Sequence, residues 1–273
     1  MLPDIFKLIR IFDKSHYFKR SSLPHFPDFR QVGFSDKPAF DTFIESFDTY
    51  SDFNFNSFYS WDTEQKHELS QLNGNLVLKF ADYITGEPFY SLIGTRDIDN
   101  TLHALLTLSE KQGLGPMLKL VPEVTVNAIK NSQSFITEED PDNFDYIFST
   151  AELSELKGGR FKSKRHAANK CAIRKEIEIT DESANANVIQ SILEVSRKWE
   201  LSKKQNGKAV DMEHEFVAIQ RILEHLTQQE SLKITFAKRG EELVGFSIDE
   251  LLPNKFVLSH YFKTLPEISG LSE

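Results

Sequence analysis

Hydrophobic positions change period several times along this chain, and the changes mark its elements. In "DKPAFDTFIESF", Phe40, Phe43 and Phe47 recur at three- and four-residue spacing, so the rings share one face of a helix that Asp36 stands ready to cap. "NFNSFYSWD" reads as a short second helix. Three strands are predicted next. "HELSQLN" and "NLVLKFAD" meet at Asn73-Gly74, a hairpin signal, and "EPFYSLIG" follows the turn at Thr85-Gly86. Leu102, Leu105, Leu106 and Leu108 predict a helix from about Asp97 to Gln112. "LKLVP" is expected as a short strand, "PEVTVNAIKNS" as a helix with Pro122 in its first turn, and "FDYIFS" as the strand that closes this half.

The stretch "ITEEDPDNFDY" holds five acids and a proline and breaks the pattern. It sets a seam near Glu138–Asp145 and predicts two domains, residues 1–140 and 141–273. Past it the order resumes with a basic helix and a strand at "EIEI". Val188, Ile192, Val195 and Trp199 mark one helix; Phe216, Ile219, Leu223 and Leu226 mark another. Period-two alternation then gives three strands, at Leu232/Ile234/Phe236, Val244/Phe246/Ile248 and Phe256/Leu258/Phe262. Arg239-Gly240 and Pro253-Asn254 supply the turns. The fold class is α/β, of the α+β kind. Strand, two helices and three antiparallel strands is the opening order of a GNAT-type acyltransferase domain, and it occurs in both halves. Two GNAT-like domains in tandem are therefore expected. The second is expected to be incomplete, because the chain stops at Glu273 where its next helix would begin.

Composition narrows the function classes. With 40% hydrophobic and 27% charged residues, the chain reads as an ordinary globular protein. Its 23 Phe imply aromatic-rich cores. The single Cys171 rules out an internal disulfide and fits a reducing compartment, so a cytoplasmic protein is expected. One thiol and no HExxH-type pair leave no zinc site to build, and no cofactor is called for. The N-terminal "MLPDIFKLIRIF" is broken by Asp4, Lys7 and Arg10, so it lacks the apolar run of a secretory signal. No window approaches the roughly 20 apolar residues of a membrane-spanning helix.

Charge is distributed unevenly. The net charge is −9, yet Lys157 to Lys175 hold eight Lys or Arg and no acid. As a helix, this segment puts Lys162, Arg165, His166 and Asn169 on one face, with Phe161, Ala168 and Ala172 free to pack inward. Like charges at that spacing repel, and a bound anion would offset the repulsion. The candidates are a tRNA phosphate, a lipid phosphate or a coenzyme diphosphate, with Arg160, Lys162, Lys164, Arg165 and Lys170 as the anchors. The competing reading is a solvated cationic face balanced by acids such as Glu138, Glu139 and Asp140. "LKGGRF" is a weak match to a phosphate-cradling loop, since its glycine spacing is not that of a nucleotide motif.

Several runs resemble the bacterial family defined by the C-terminal domain of phosphatidylglycerol lysyltransferase. They are "SDFNFNSFYSWD", "LNGNLVLKF…DY…GEPFYSLIG", "LVPEV", "EEDPDNFDYIFSTAELSELKGGRFKSKRHAANK" and "VGFSIDELLPN…SHYFK". The resemblance implies tandem GNAT-like domains related to the Fem-type aminoacyl ligases. It implies an aminoacyl or acyl transferase, with aminoacyl-tRNA as donor and an unassigned acceptor. The implied partners are aminoacyl-tRNA or another phosphate-bearing ligand, with peripheral contact to anionic membrane lipid also open. Two alternatives stand beside it: an acyl-CoA N-acyltransferase, and a non-catalytic anion-binding module that keeps the fold. Against the former, "SLIGTRDIDNTL" has one glycine and two acids where an acyl-CoA diphosphate loop would sit.

His260 is the candidate base, since imidazole titrates near working pH. Its alternation with Phe256, Leu258 and Phe262 suggests instead that it faces the core. Asp249, Glu250 and Lys263 read as surface charges at the same sheet end, and Cys171 as a small buried residue. Trp61-Asp62 and Asp82-Tyr83 fall at element ends, where their rings would stack on a ligand or pack into the core.

Overall fold

The computed structural model describes residues 23–173, 177–205, 213–265, 268 and 271. It is a mixed α+β fold built on two four-stranded antiparallel sheets. The first sheet has the order β1 (Arg30–Gln31), β2 (Glu68–Leu72), β3 (Asn75–Ala81) and β4 (Pro88–Ile93). Between β1 and β2 lie α1 (Lys37–Ile44) and α2 (Phe55–Ser60); α3 (Ile98–Lys111) and α4 (Glu123–Val126) follow β4. The predicted turn between β2 and β3 has φ of 54° at Asn73 and 79° at Gly74, left-handed values that Asn and Gly adopt readily. Both faces of this sheet are covered, which explains why β3 reads as a continuous apolar run. Leu76, Leu78 and Phe80 pack against Phe40, Phe55 and Phe58 of α1 and α2. Val77 and Leu92 pack against Ile98, Leu102 and Leu105 of α3.

The chain then runs through α5 (Thr150–Glu155) and α6 (Lys162–Ile173) to the second sheet. Its order is β5 (Glu178–Glu182), β6 (Leu232–Arg239), β7 (Glu242–Leu251) and β8 (Val257–Thr264). The helices α7 (Ala186–Gln205) and α8 (Glu213–Glu224) lie on one face, where Ile192, Val195, Ile219 and Leu223 meet Ile234, Phe246, Ile248 and Tyr261.

The structure corrects four of the expectations. "LKLVP" pairs only through an isolated bridge from Leu118 to Tyr90, and "PEVTVNAIKNS" is helical only over α4. "FDYIFS" forms no strand; Phe144, Tyr146, Ile147 and Phe148 are exposed. The fourth correction concerns β8. Its register passes from Ser259 opposite Asp249 to Tyr261 opposite Ile248, so His260 is the extra residue of a β-bulge. A bulge shifts the alternation by one. Tyr261 and Lys263 therefore turn toward the helices, and Phe262 is 53% exposed instead of joining the core.

Candidate active site

Helix α2 starts at Asn54, whose Oδ1 accepts the Ser57 amide at 3.1 Å as an N-cap. The amide end of the same side chain crosses to the second sheet and donates to Glu250 Oε2 at 2.8 Å. Glu250, near the end of β7, is buried, and Ser231 Oγ donates to its Oε1 at 3.4 Å. The Lys37 ammonium of α1 lies 3.8 Å from the same oxygen. Burial pushes the Glu250 carboxyl up. The His260 hydrogen bond, the charges of Lys37 and His260 and the Asn54 amide outweigh it and hold the group at about 2.

An ionised carboxylate only accepts, so its contact with His260 fixes a tautomer. His260 Nε2–H donates to Glu250 Oε2 at 3.0 Å. Nδ1 is then the nitrogen that faces Ser57 Oγ, at 3.5 Å, a loose contact of the kind ligand-free sites often show. The ring faces inward, as its alternation with Leu258 suggested; its side chain is 3% exposed. Ser57 is half-buried. The line Ser57–His260–Glu250 joins helix α2 to the second sheet. It has the parts of a general base: an acceptor nitrogen, a hydroxyl beside it, and an anion placed to stabilise the imidazolium.

Further contacts lock α2 against the second half. Arg221 Nε of α8 donates to Tyr59 O at 3.0 Å, and its guanidinium stacks 4.4 Å from the Tyr59 ring centre. Ser60 Oγ and the Tyr261 hydroxyl are 3.0 Å apart. Sequence reasoning named His260 but took Glu250 and Lys263 for surface charges. Both are buried, and Lys263 pairs with Glu215 while its ammonium sits 3.6 Å from the Trp199 ring centre. Asp249 is half-buried and accepts from Ser247 Oγ. Ser57, Asn54 and Lys37 were missed. Asn54 and Glu250 are 196 residues apart in sequence, and the only local signal was an Asn heading a short Phe-rich helix.

The predicted anion anchors lie along α6 and the turn before it. Arg160 falls in the turn before α6, where it pairs with Glu152 and lies 4.8 Å from the Phe161 ring centre. Lys162, Lys164 and Lys170 are exposed along α6. Arg165 is half-buried: its Nη1 donates to Leu156 O and, at 3.3 Å, to Gly158 O. It thereby closes the loop that carries Gly158 and Gly159. The inward packing foreseen for Phe161 and Ala168 fits their half-burial; the side chain of Cys171 lies outside the described residues, as does that of Ala172.

The loop after β4 uses its backbone groups internally. Gly94 N donates to Thr125 Oγ1 at 3.1 Å, and Arg96 N donates to Asn75 Oδ1 at 3.0 Å. A Cβ at Gly94 would lie 2.1 Å from that Asn75 oxygen, so glycine is required there. Amides so engaged are not available to a diphosphate. Among the described residues, no helix is long and apolar enough to cross a membrane.

No curated protein matches the chain. A similar solved structure is a conserved protein of unknown function from Bacteroides thetaiotaomicron VPI-5482, at 19% sequence identity and a TM-score of 0.74. The match covers 89% of this chain and 82% of that one, and at such identity the likeness speaks for the fold alone. The family described as "Phosphatidylglycerol lysyltransferase, C-terminal" matches over residues 45–273. That span is most of the chain, which therefore belongs to the phosphatidylglycerol lysyltransferase C-terminal family.

Proposed function

We propose that this chain is a transferase domain that moves an aminoacyl group from charged tRNA to a hydroxyl- or amine-bearing acceptor. The observation that carries the reading is the buried His260, held on Glu250 at 3.0 Å with its other nitrogen turned to Ser57. Family membership supports the transferase class. In this reading the two sheets with their helices are GNAT-like domains in tandem, residues 1–140 and 141–273, with the reaction centre between them. The reaction would run in the cytoplasm, where charged tRNA is found.

Aminoacyl transfer has a simple proton balance. The acceptor's O–H or N–H attacks the ester carbonyl, and His260 Nδ1 takes the proton, directly or through Ser57 Oγ. Glu250 stabilises the imidazolium that forms. The proton then passes to the ribose oxygen as the ester bond breaks. Arg160, Lys162, Lys164, Arg165 and Lys170 neutralise phosphates and hold the tRNA, so affinity falls with salt.

The test is transfer of a radiolabelled amino acid from a panel of charged tRNAs to vesicles and to small amine or hydroxyl acceptors. Replacing His260 by Gln should lower the rate by about 10²–10⁴-fold while leaving tRNA affinity unchanged. Absence of transfer across the whole panel, or a fully active His260→Gln variant, overturns the proposal.

A further inference from the structure

The expected strand "FDYIFS" is used neither by the two sheets nor by the transfer chemistry. Residues 144–149 join neither sheet, yet their backbone is strand-like. It is extended at both ends, with φ/ψ of −76°/136° at Phe144 and −72°/122° at Ser149, and no residue between them has a positive φ. Both ends are also tied down. Asp145 accepts the Ser51 amide at 3.0 Å, and Ser149 Oγ accepts the Glu152 amide at 3.4 Å as the cap of α5. The side chains are those that strands favour. Phe144, Tyr146 and Phe148 alternate with Asp145, Ile147 and Ser149, and Tyr146 is 89% exposed.

The main chain of this segment is open as well. Among the described residues, no hydrogen bond reaches the amides of residues 145–149 or the carbonyls of residues 144–148. The Phe144 amide donates to Pro141 O at 3.3 Å, and Ser149 O accepts the Leu153 amide at 3.0 Å, so the open groups coincide with the extended residues. A row of open N–H and C=O groups flanked by exposed aromatic rings is built to receive another strand. Charge selects which strand. Residues 138–145 hold five acids and no Lys or Arg, whereas residues 157–175, beyond α5, hold eight Lys or Arg and no acid. An extended segment with an acidic flank before it and a basic flank after it complements a copy of itself running the other way. Antiparallel pairing turns each acidic flank toward the other chain's basic flank, while parallel pairing sets like charge on like.

We infer that residues 144–149 of two copies of this chain pair as antiparallel strands, with Tyr146 opposite Tyr146 and Phe144 opposite Phe148. In this register the rings of both copies share one face as cross-strand pairs. Centring the pair on Asp145 would set two carboxylates opposite each other, and centring it on Ile147 would leave Phe144 without a facing ring. Side chains come closest at a non-hydrogen-bonded pair, so Tyr146 takes that position and the Ile147 N–H donates to the carbonyl of the partner's Asp145. One two-fold axis relates the strands, so the assembly closes at two copies. The contact is short, which sets its affinity at the weak end of protein interfaces. It stands on the geometry of this segment and does not depend on the transferase reading.

The experiment is sedimentation velocity on the full chain from about 5 to 500 µM, where a monomer–dimer equilibrium is expected. The dimer should weaken between about 0.1 and 1 M salt as the flanking charges are screened. Ile147→Pro removes the amide that pairs across the axis and should weaken the dimer by at least about 10-fold. It should leave the melting temperature of the dilute protein unchanged, because that amide bonds to nothing within the described chain. Register is read by oxidation. With Cys171→Ser removing the one native thiol, Tyr146→Cys should form a disulfide-linked dimer far faster than Ile136→Cys, whose position is 92% exposed but distant from the axis. A monomer across the whole concentration range overturns the proposal, as does a dimer that keeps its affinity in Ile147→Pro. Equal crosslinking from the two cysteines, or assembly that continues past two copies, overturns it too.

Discussion

Glu250 and Asp52 both lose solvent beside the start of α2, yet they titrate in opposite directions. Glu250 is surrounded by donors and cations, and its carboxyl falls from 4.5 to about 2 against the pull of burial. Asp52 lies in the turn Ser51–Phe53, where burial and the like charge of Asp145 raise it from 3.8 to about 6. The nearby Ser51 amide donates to Asp145 at 3.0 Å and not to Asp52. Burial alone therefore says little about a carboxylate. The number of donors aimed at it decides whether the folded protein favours its charge.

The contrast predicts a two-step pH profile. A carboxyl whose value is lowered by folding stabilises the native state above its unfolded value, and the gain is lost as pH falls through the folded one. A carboxyl whose value is raised does the reverse, stabilising fully below its unfolded value and losing that gain as pH rises. Acidification from pH 7 should thus raise stability between about 6 and 4 through Asp52, then lower it between about 4.5 and 2 through Glu250.

The largest effect is expected on breaking the Glu250 cluster. Glu250→Gln leaves His260 without its anion and Lys37 with Asp41 alone, and should cost about 3 kcal/mol in urea melts at pH 7. It should also flatten the acid limb below pH 4.5; a limb that persists unchanged would assign it to another group. Second comes Asp52→Asn, expected to stabilise by about 1–2 kcal/mol at pH 7 and to lose that advantage near pH 4. An equal gain at both pH values would place its origin outside the titration.

Smaller effects separate the exposed cations from these buried groups. Arg165→Gln leaves the Leu156 and Gly158 carbonyls without their donor and should cost about 1 kcal/mol, whereas Lys162→Gln should stay within about 0.5 kcal/mol. With tRNA as ligand, the double variant should flatten the slope of log K against log salt by about one to two units. The smallest effect tests the bulge: Phe262→Ser on the exposed face should change stability by less than about 0.5 kcal/mol. A cost of several kcal/mol there would restore the uninterrupted alternation and place Phe262 in the core.

Local pattern determined much of this protein. The Phe-rich first helix, the Asn73-Gly74 hairpin, the Leu-marked α3 and the paired helices before the last three strands are all legible, because each depends on neighbours within a turn or a hairpin. Quoted runs also sufficed to indicate the family, and the basic segment to indicate a helix. The site was only half visible. His260 stood out by chemistry and faces inward as its alternation suggested, but the extra residue in β8 that turns Phe262 outward and Lys263 inward shifts alternation without altering composition. Glu250 looked like a surface charge, since nothing near it in sequence reveals Asn54 and Lys37, which reach it from the other half of the chain. The same holds for Asp62, whose donor-free oxygen exists only once α2 is packed. Spacing along the chain records hydrogen bonds within an element. Desolvation and charge pairing act through space, so only the tertiary structure decided which carboxylates became buried and which of them received donors.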